Sequence, residues 1–345
     1  MATKLPSVMK AVGLYKYLPI SDVNSLVDLQ VSLPSPKKNE VLVEVKATAV
    51  NPIDTKLRAP KPDIETTPRI LGLDGAGVVV AKGENAGTYK VGDEVFFVGD
   101  MRSKSGTNAQ YVALEEILIA PKPKRFTFEQ AAAMPLTAYT AYEAIHDRLL
   151  ITEKDAGKSI LVINSAGGVG SIATQLLKNL GLKVIGTASR PESEEFTRKY
   201  GAEIVLNHSK DLVSQLKAIG YGSGVDYILL NYDPVPYWDQ LPNLMKAQGR
   251  MCLLTDAATP VDIRVLRDKS ISMVSMTMYT RLKYNTDDRN RYTQILSTVS
   301  KLIDDGKLDC TLTKVMTPID AANLREAHRI IEEKKMLGKL VLSGF

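Results

Sequence analysis

The residues best suited to chemistry stand in Ile160–Gly170, ILVINSAGGVG. An apolar run that reads as a buried strand leads straight into a Gly-rich turn and then a helical pattern, the context in which such a turn holds a dinucleotide. Against the pattern G-x-G-x-x-G, Ser165 takes the first place, Gly167 the second and Gly170 the third. Gly167 admits the close approach of a pyrophosphate, and Gly170 lets the helix pack tightly on the strand. Gly168 and Val169 stand just ahead of the helix expected over Ser171–Leu180, and backbone N–H groups at the helix N-terminus meet phosphate charge. Ser165 departs from the strict pattern, and Gly168 supplies part of the missing flexibility. The plainer alternative, an ordinary tight turn, is disfavoured by the strand–helix alternation on both sides.

The next strand ends GTASRPESEE. An NAD-specific site carries an acid about 20 residues beyond the loop to hold the ribose 2′-hydroxyl. Here the strand ends on Ser189 and Arg190 instead, and a guanidinium beside a hydroxyl suits a 2′-phosphate. NADPH is therefore the expected cofactor, with Glu192, two residues further on, as the competing NADH signal. His208 ends the third strand and either serves the adenine end of the cofactor or is an ordinary loop histidine.

Composition narrows the rest. The chain has 345 residues with 44% hydrophobic and 24% charged side chains, enough for two domains with separate cores. Mean hydropathy is −0.07 and no apolar run approaches the ~18 residues of a membrane span. The first residues lack the apolar core of a signal peptide, so a cytoplasmic protein is expected. The net charge of +5 comes without a dense basic run, so no nucleic-acid partner is expected. Cys252 and Cys310 are the two cysteines, far apart, which suits free thiols and excludes a four-cysteine zinc site within the chain.

These residues need a frame. From Val8 to about Pro123 short alternating runs separated by Pro, Gly, Asn and Asp predict a β-rich, partly closed domain. Phe128–Ala144 reads as helical around Pro135. From Ser159 continuous apolar strands alternate with helices, including one expected at Trp238–Ala247, which predicts a parallel sheet covered on both faces. A helix over Arg289–Ile303, strand TLTKVMT, helix Ala321–Lys334 and strand GKLVLSG close the chain, and the closing strands look suited to rejoining the first domain. The fold class is α/β: a β-rich domain over 1–130 plus 310–345, and a doubly wound domain over 131–309.

The order of the segments SVMKAVGLYKYLPI, VKATAVNPIDTKLR, RILGLDGAGVV, VGDEVFFVGD, AAAMPLTAYTAYE, INSAGGVGSIATQ, GTASRPE, GAEIVLNH and MLGKLVL resembles the medium-chain dehydrogenase/reductase superfamily, over nearly the whole chain. Within it the chain resembles the quinone-oxidoreductase branch, and more narrowly bacterial proteins called zinc-type alcohol dehydrogenase-like. The resemblance implies a GroES-like first domain, a Rossmann domain and a homodimer. Zinc-dependent members bind the metal through a Cys that here aligns with Asn51, and a His of G-H-E that here aligns with Leu73 in Gly72-Leu73-Asp74. An amide and an isobutyl group are poor zinc ligands, and His146, His208 and His328 are scattered, so no metal site is expected.

By the same resemblance Asn51 lines the substrate pocket, where its N–H₂ donates to a carbonyl oxygen. Lys56 matches a lysine of plant enone and alkenal reductases and would add charge there, unless it is simply a solvated side chain. Asp54, three residues after Asn51, suits a turn-stabilising part. Thr137 matches a segment that touches the nicotinamide. Asn231 follows the strand VDYILLNY at the sheet's carboxyl edge, where such folds hold ligands. The expected activity is zinc-independent, NADPH-dependent reduction of quinones or α,β-unsaturated carbonyls, with the small-molecule acceptor as the partner. The alternatives are a zinc alcohol dehydrogenase and a non-catalytic NADPH-binding redox sensor.

Overall fold

The computed structural model describes residues 5–345. The chain divides into two units, Met1–Leu136 with Tyr279–Gly306 and Cys310–Phe345, and Thr137–Met278 with Lys307–Asp309.

The first stretch contains β1 (Val8–Tyr17), β2 (Val27–Ser32), β3 (Glu40–Val50), α1 (Pro52–Arg58), β4 (Lys61–Ile70), β5 (Asp74–Lys82), β6 (Glu94–Val98), β7 (Tyr111–Glu115), β8 (Ile119–Pro121) and α2 (Phe128–Ala132). Helix α3 (Pro135–Tyr142) and a π-helical turn at Glu143–Arg148 follow. The middle stretch is β9 (Ser159–Ile163), α4 (Gly168–Asn179), β10 (Lys183–Thr187), α5 (Pro191–Lys199), β11 (Ile204–Leu206), α6 (Leu212–Ala218), β12 (Val225–Leu230), α7 (Leu241–Leu244), β13 (Met245–Leu253) and β14 (Ser272–Ser275). The last is α8 (Thr280–Lys283), α9 (Arg291–Asp304), β15 (Leu312–Met316), α10 (Ala321–Glu332) and β16 (Lys339–Ser343).

The second unit is a six-stranded parallel sheet in the order β11-β10-β9-β12-β13-β14. This is the doubly wound order, and its direction reverses between β9 and β12, which marks the ligand crevice at the carboxyl ends of those strands. All five residues of β9 are buried, as a strand covered on both faces requires. Leu161, Ile163, Ile228, Leu230, Trp238 and Met251 belong to its core.

The first unit holds a sheet in the order β15-β16-β3-β5-β6-β8, with β7 paired to β3, and a smaller sheet β2-β1-β4. The closing strand β16 does rejoin the amino-terminal strands, pairing antiparallel with β3 so that Leu340 faces Val50. Val12, Leu14, Val50, Leu324, Leu340 and Leu342 share one core there.

In helix α9 Thr293 donates to Ile117 O at 2.7 Å and Ser300 to Pro121 O at 2.8 Å, so it packs on the β-rich unit. Two details differ from the sequence reading. The helix expected over Trp238–Ala247 ends at Leu244, because Met245 already pairs with Val225 as sheet. Strand β4 was missed because KPDIETTPRI is polar and carries two prolines, which an edge strand tolerates.

Candidate functional site

In the second unit β9 delivers the chain to Asn164, whose φ of 58° turns it sharply towards α4. Ser165 is buried; its hydroxyl donates to Thr187 O and accepts from Thr187 N, both at 2.9 Å. Its side chain therefore ties the ends of β9 and β10 together, and anything it offers a ligand comes from its backbone. Gly167 caps α4 with extended backbone, and Gly168 and Val169 begin the helix half-buried. The first N–H groups of α4 have no partner within the helix and aim positive partial charge outward. A Cβ on Gly170 would stand 2.4 Å from Asn164 O and 2.6 Å from Ser165 Cα, so close packing explains that glycine.

Ser189 is exposed, and Arg190 N-caps α5 with its guanidinium 3.2 Å from Glu192. The two residues that signalled opposite cofactors are thus partners, in an exposed ion pair of the kind that contributes little to stability. His208 Nδ1 lies 3.3 Å from Thr187 Oγ1, and burial pushes its pKa below the usual histidine value. Asn231 directly follows β12, whose last residue Leu230 is in register with Ile163 at the end of β9. Both polar atoms of its amide are buried without a hydrogen-bond partner among the described residues. Orphaned amide atoms beside a Gly-rich helix start, at the reversal of strand order, fit a nicotinamide dinucleotide. Thr137 is buried in α3.

In the first unit three neighbouring strands bring a polar cluster to one end of the sheet. Asn51 follows β3, Asp74 opens β5 opposite Ala49, and Lys339 opens β16. Asn51 Nδ2 donates to Asp74 Oδ2 at 2.8 Å, Lys339 Nζ donates to the same oxygen at 3.0 Å, and Lys339 also donates to Asn51 Oδ1. Asp74 Oδ1 accepts from Leu136 N at 2.6 Å. Exposure is 1% for Asn51, 0% for Asp74 and 3% for Lys339, so a buried ammonium and carboxylate neutralise each other around the amide.

Asn51 also starts α1, but its side chain is engaged elsewhere, and Asp54 Oδ2 closes the turn by accepting from Asn51 N at 2.8 Å. Burial, helped by the charge of Asp74, raises the Asp54 pKa from 3.8 to about 7; the Asn51 N–H and Lys339 oppose this. The Tyr279 hydroxyl is buried without a partner among the described residues, and burial, then Asp54 and Asp74, hold its pKa well above 10. Lys56 is exposed on α1. The structure thus gathers Asn51 with Asp54, and Gly167, Gly168, Val169 and Gly170 at one helix start. Asp74 as a ligand to Asn51, Lys339 and Tyr279 were not found from sequence; the only hint for Lys339 is a lysine opening an otherwise apolar strand.

Against known families, an alcohol dehydrogenase GroES-like domain matches residues 37–124 and a zinc-binding dehydrogenase domain matches residues 168–301. A zinc-type alcohol dehydrogenase-like protein of Staphylococcus epidermidis is 38% identical over 338 residues, 97% of this chain and 99% of that one. The chain belongs to the medium-chain dehydrogenase/reductase superfamily. Three other proteins are informative. The NADPH-dependent alkenal/one oxidoreductase of Arabidopsis thaliana chloroplasts is 36% identical over 75% of this chain and 66% of that one. A Rhizobium etli protein solved as a candidate zinc-dependent alcohol dehydrogenase superposes with a TM-score of 0.93 at 39% identity, over 98% of this chain and 99% of that one. The Escherichia coli quinone oxidoreductase solved with NADPH superposes at 0.80 and 27%, over 97% and 99%.

The names of the matching domain and of two of these relatives raise the question of zinc. Among the described residues no group of three or more His, Cys, Asp or Glu side chains is arranged to hold a metal ion. At the two positions expected to align with zinc ligands stand Asn51 and the buried Leu73, and an ammonium already takes oxygens of Asn51 and Asp74. That donor set does not fit a zinc ion.

Proposed function

We propose that this superfamily member is a zinc-independent, NADPH-dependent reductase of quinones or α,β-unsaturated carbonyls. The observation that carries the reading is the cluster around Asn51: a buried amide donor backed by a fixed cation. Bound through Gly167, Gly168, Val169, Gly170, Ser189 and Arg190, with Thr137, Ser165, His208 and Asn231 alongside, NADPH supplies a hydride. Asn51 donates its N–H to the acceptor's carbonyl oxygen as negative charge grows there. Lys56, exposed five residues along on α1, is a second source of positive charge for that oxygen. Conjugation spreads the charge of an enolate or hydroquinone anion, so an amide donor serves. A saturated ketone or aldehyde forms a localised alkoxide that calls for a stronger electrophile.

The names of the Arabidopsis and E. coli members support the acceptor class and the cofactor. Both cysteines are free, Cys252 buried, which supports a reducing, cytoplasmic setting; no helix among the described residues is long and apolar enough to cross a membrane. The open edge of β14 supports a homodimer built on the Rossmann sheet.

The test is NADPH oxidation by chelator-treated protein offered a quinone, an enone and a saturated aldehyde side by side. Turnover of the quinone or enone with the aldehyde inert is expected. Aldehyde turnover that appears only when zinc is restored overturns the zinc-independent assignment. Silence on all three, with NADPH still bound, replaces the reductase by a cofactor-binding sensor.

A further inference from the structure

The Asn51 amide lies between two groups of opposite hydrogen-bonding character. An ammonium has only donors to offer and an ionised carboxylate only acceptors. Lys339 therefore has to face Oδ1 and Asp74 has to face Nδ2, as observed. Turning the amide over would set N–H against ammonium and carbonyl oxygen against carboxylate, so the usual ambiguity of a buried asparagine is absent here. Nδ2 makes its one hydrogen bond to Asp74, which leaves its second proton without an acceptor among the described residues. The ammonium on Oδ1 also draws electron density from the amide, which strengthens that remaining N–H as a donor.

The clamp is itself held. Asp74 Oδ1 is anchored by Leu136 N at 2.6 Å, and Lys339 stands at the start of a strand whose next residue is in register with Val50. Neither charged side chain is exposed enough to swing into water.

We propose that Lys339 is a positioning residue: paired with Asp74, its ammonium locks and polarises the Asn51 amide so that one N–H is fixed as the donor to the substrate's oxygen. This rests on the assignment of Asn51 to the acceptor's oxygen made above. Lys339 touches Asn51 and Asp74, and acts on the substrate only through Asn51.

The experiment is a double-mutant cycle of Lys339→Met and Asn51→Ala, read in kcat, KM and NADPH affinity, with the Asn51 side-chain amide followed by nitrogen-15 NMR. The amide pair is assigned by its disappearance in Asn51→Ala. Lys339→Met is expected to lower kcat roughly 10- to 100-fold, the range for losing a fixed oxyanion donor, with the NADPH Kd changed less than about twofold. Added to Asn51→Ala, the same change is expected to lower kcat less than about threefold further, because residues acting through one another are not additive. It is also expected to shift the Asn51 amide signals.

A full Lys339→Met loss that persists in the Asn51→Ala background, an unchanged kcat in the single variant, or unmoved amide signals each overturns the proposal. Should Lys339→Met not fold because Asp74 is left unpaired, Asp74→Asn with Lys339→Met removes both charges together and enters the cycle in its place. An Asn51→Ala variant with wild-type kcat defeats the assignment of Asn51 itself. If the wild-type protein reduces no acceptor, the functional reading fails, while the amide signals still decide whether Lys339 sets the amide.

Discussion

Two glycines of the dinucleotide loop should fail in opposite ways when changed to alanine. At Gly170 an added Cβ would lie 2.4 Å from Asn164 O, 2.6 Å from Ser165 Cα and 2.9 Å from Ser165 C, all backbone of the turn, so α4 has to move off β9. Overpacking of that kind costs about 1–3 kcal/mol, or a fall in Tm of roughly 2–12 °C for a unit of this size. At Gly167 the nearest atom is Asn164 Nδ2 at 3.2 Å, the end of a flexible side chain, and the backbone at φ −77° and ψ 175° is open to alanine. The weaker cap and the stiffer unfolded chain offset one another to within about 1 kcal/mol. On the proposed cofactor assignment the Gly167 Cβ instead takes up space for the pyrophosphate, and a loss of at least ~1.4 kcal/mol, a tenfold rise in NADPH Kd, is expected. Thermal melts of the cofactor-free variants and fluorescence titration with NADPH separate the two effects. Unaltered NADPH affinity in Gly167→Ala, or greater destabilisation there than in Gly170→Ala, would refute the assignment of this loop to the pyrophosphate.

Other consequences are simpler to check. Arg190→Ala should weaken NADPH binding about tenfold or more while leaving NADH nearly unaffected, since a charge-assisted contact to the 2′-phosphate is lost and the exposed pair with Glu192 holds little energy; equal losses for both cofactors would remove Arg190 from phosphate recognition. His328 is fully buried on α10 with both ring nitrogens unpartnered among the described residues, and burial, then the charge of Arg58, depresses its pKa from 6.5 to about 3. The unfolded chain takes up the proton first, so stability present above pH 6.5 is lost as pH falls, by about 2 kcal/mol at pH 5. Urea melts at pH 7 and pH 5 should show that loss reduced by this amount in His328→Leu.

Most of the fold was legible because its signals are periodic. Continuous apolar strands such as SILVI and VDYILL can be buried on both faces only in a covered parallel sheet, and the glycines between β9 and α4 mark where strand and helix come closest. What escaped lacks such a signature. The π-helical turn at Glu143–Arg148 continues an ordinary helical pattern, and nothing in α9 says which of two sheets its apolar face will cover. Arg190 and Glu192 looked like rival cofactor signals because sequence separates them by two positions without saying that they form one ion pair.

The Asn51 cluster was the least legible part, for a reason of register. Asn51 and Lys339 are 288 positions apart and meet because β16 returns to pair with β3, with Leu340 opposite Val50; a shift by one residue would turn Lys339 to the other face. Taken by type, Lys339 is a solvated charge at a strand end and Asp74 a polar residue before a glycine. Each acquires its chemistry from the other, since either charge alone would be too costly to bury. The same pairing bears on zinc. An amide and an isobutyl group at Asn51 and Leu73 are by themselves poor metal ligands, and an ammonium bonded to the oxygens of Asn51 and Asp74 opposes a second cation there and gives the amide a fixed positive neighbour. On the proposed reading Asn51 stabilises oxygen charge without a metal, and Lys339 is the residue whose replacement tests that reading most directly.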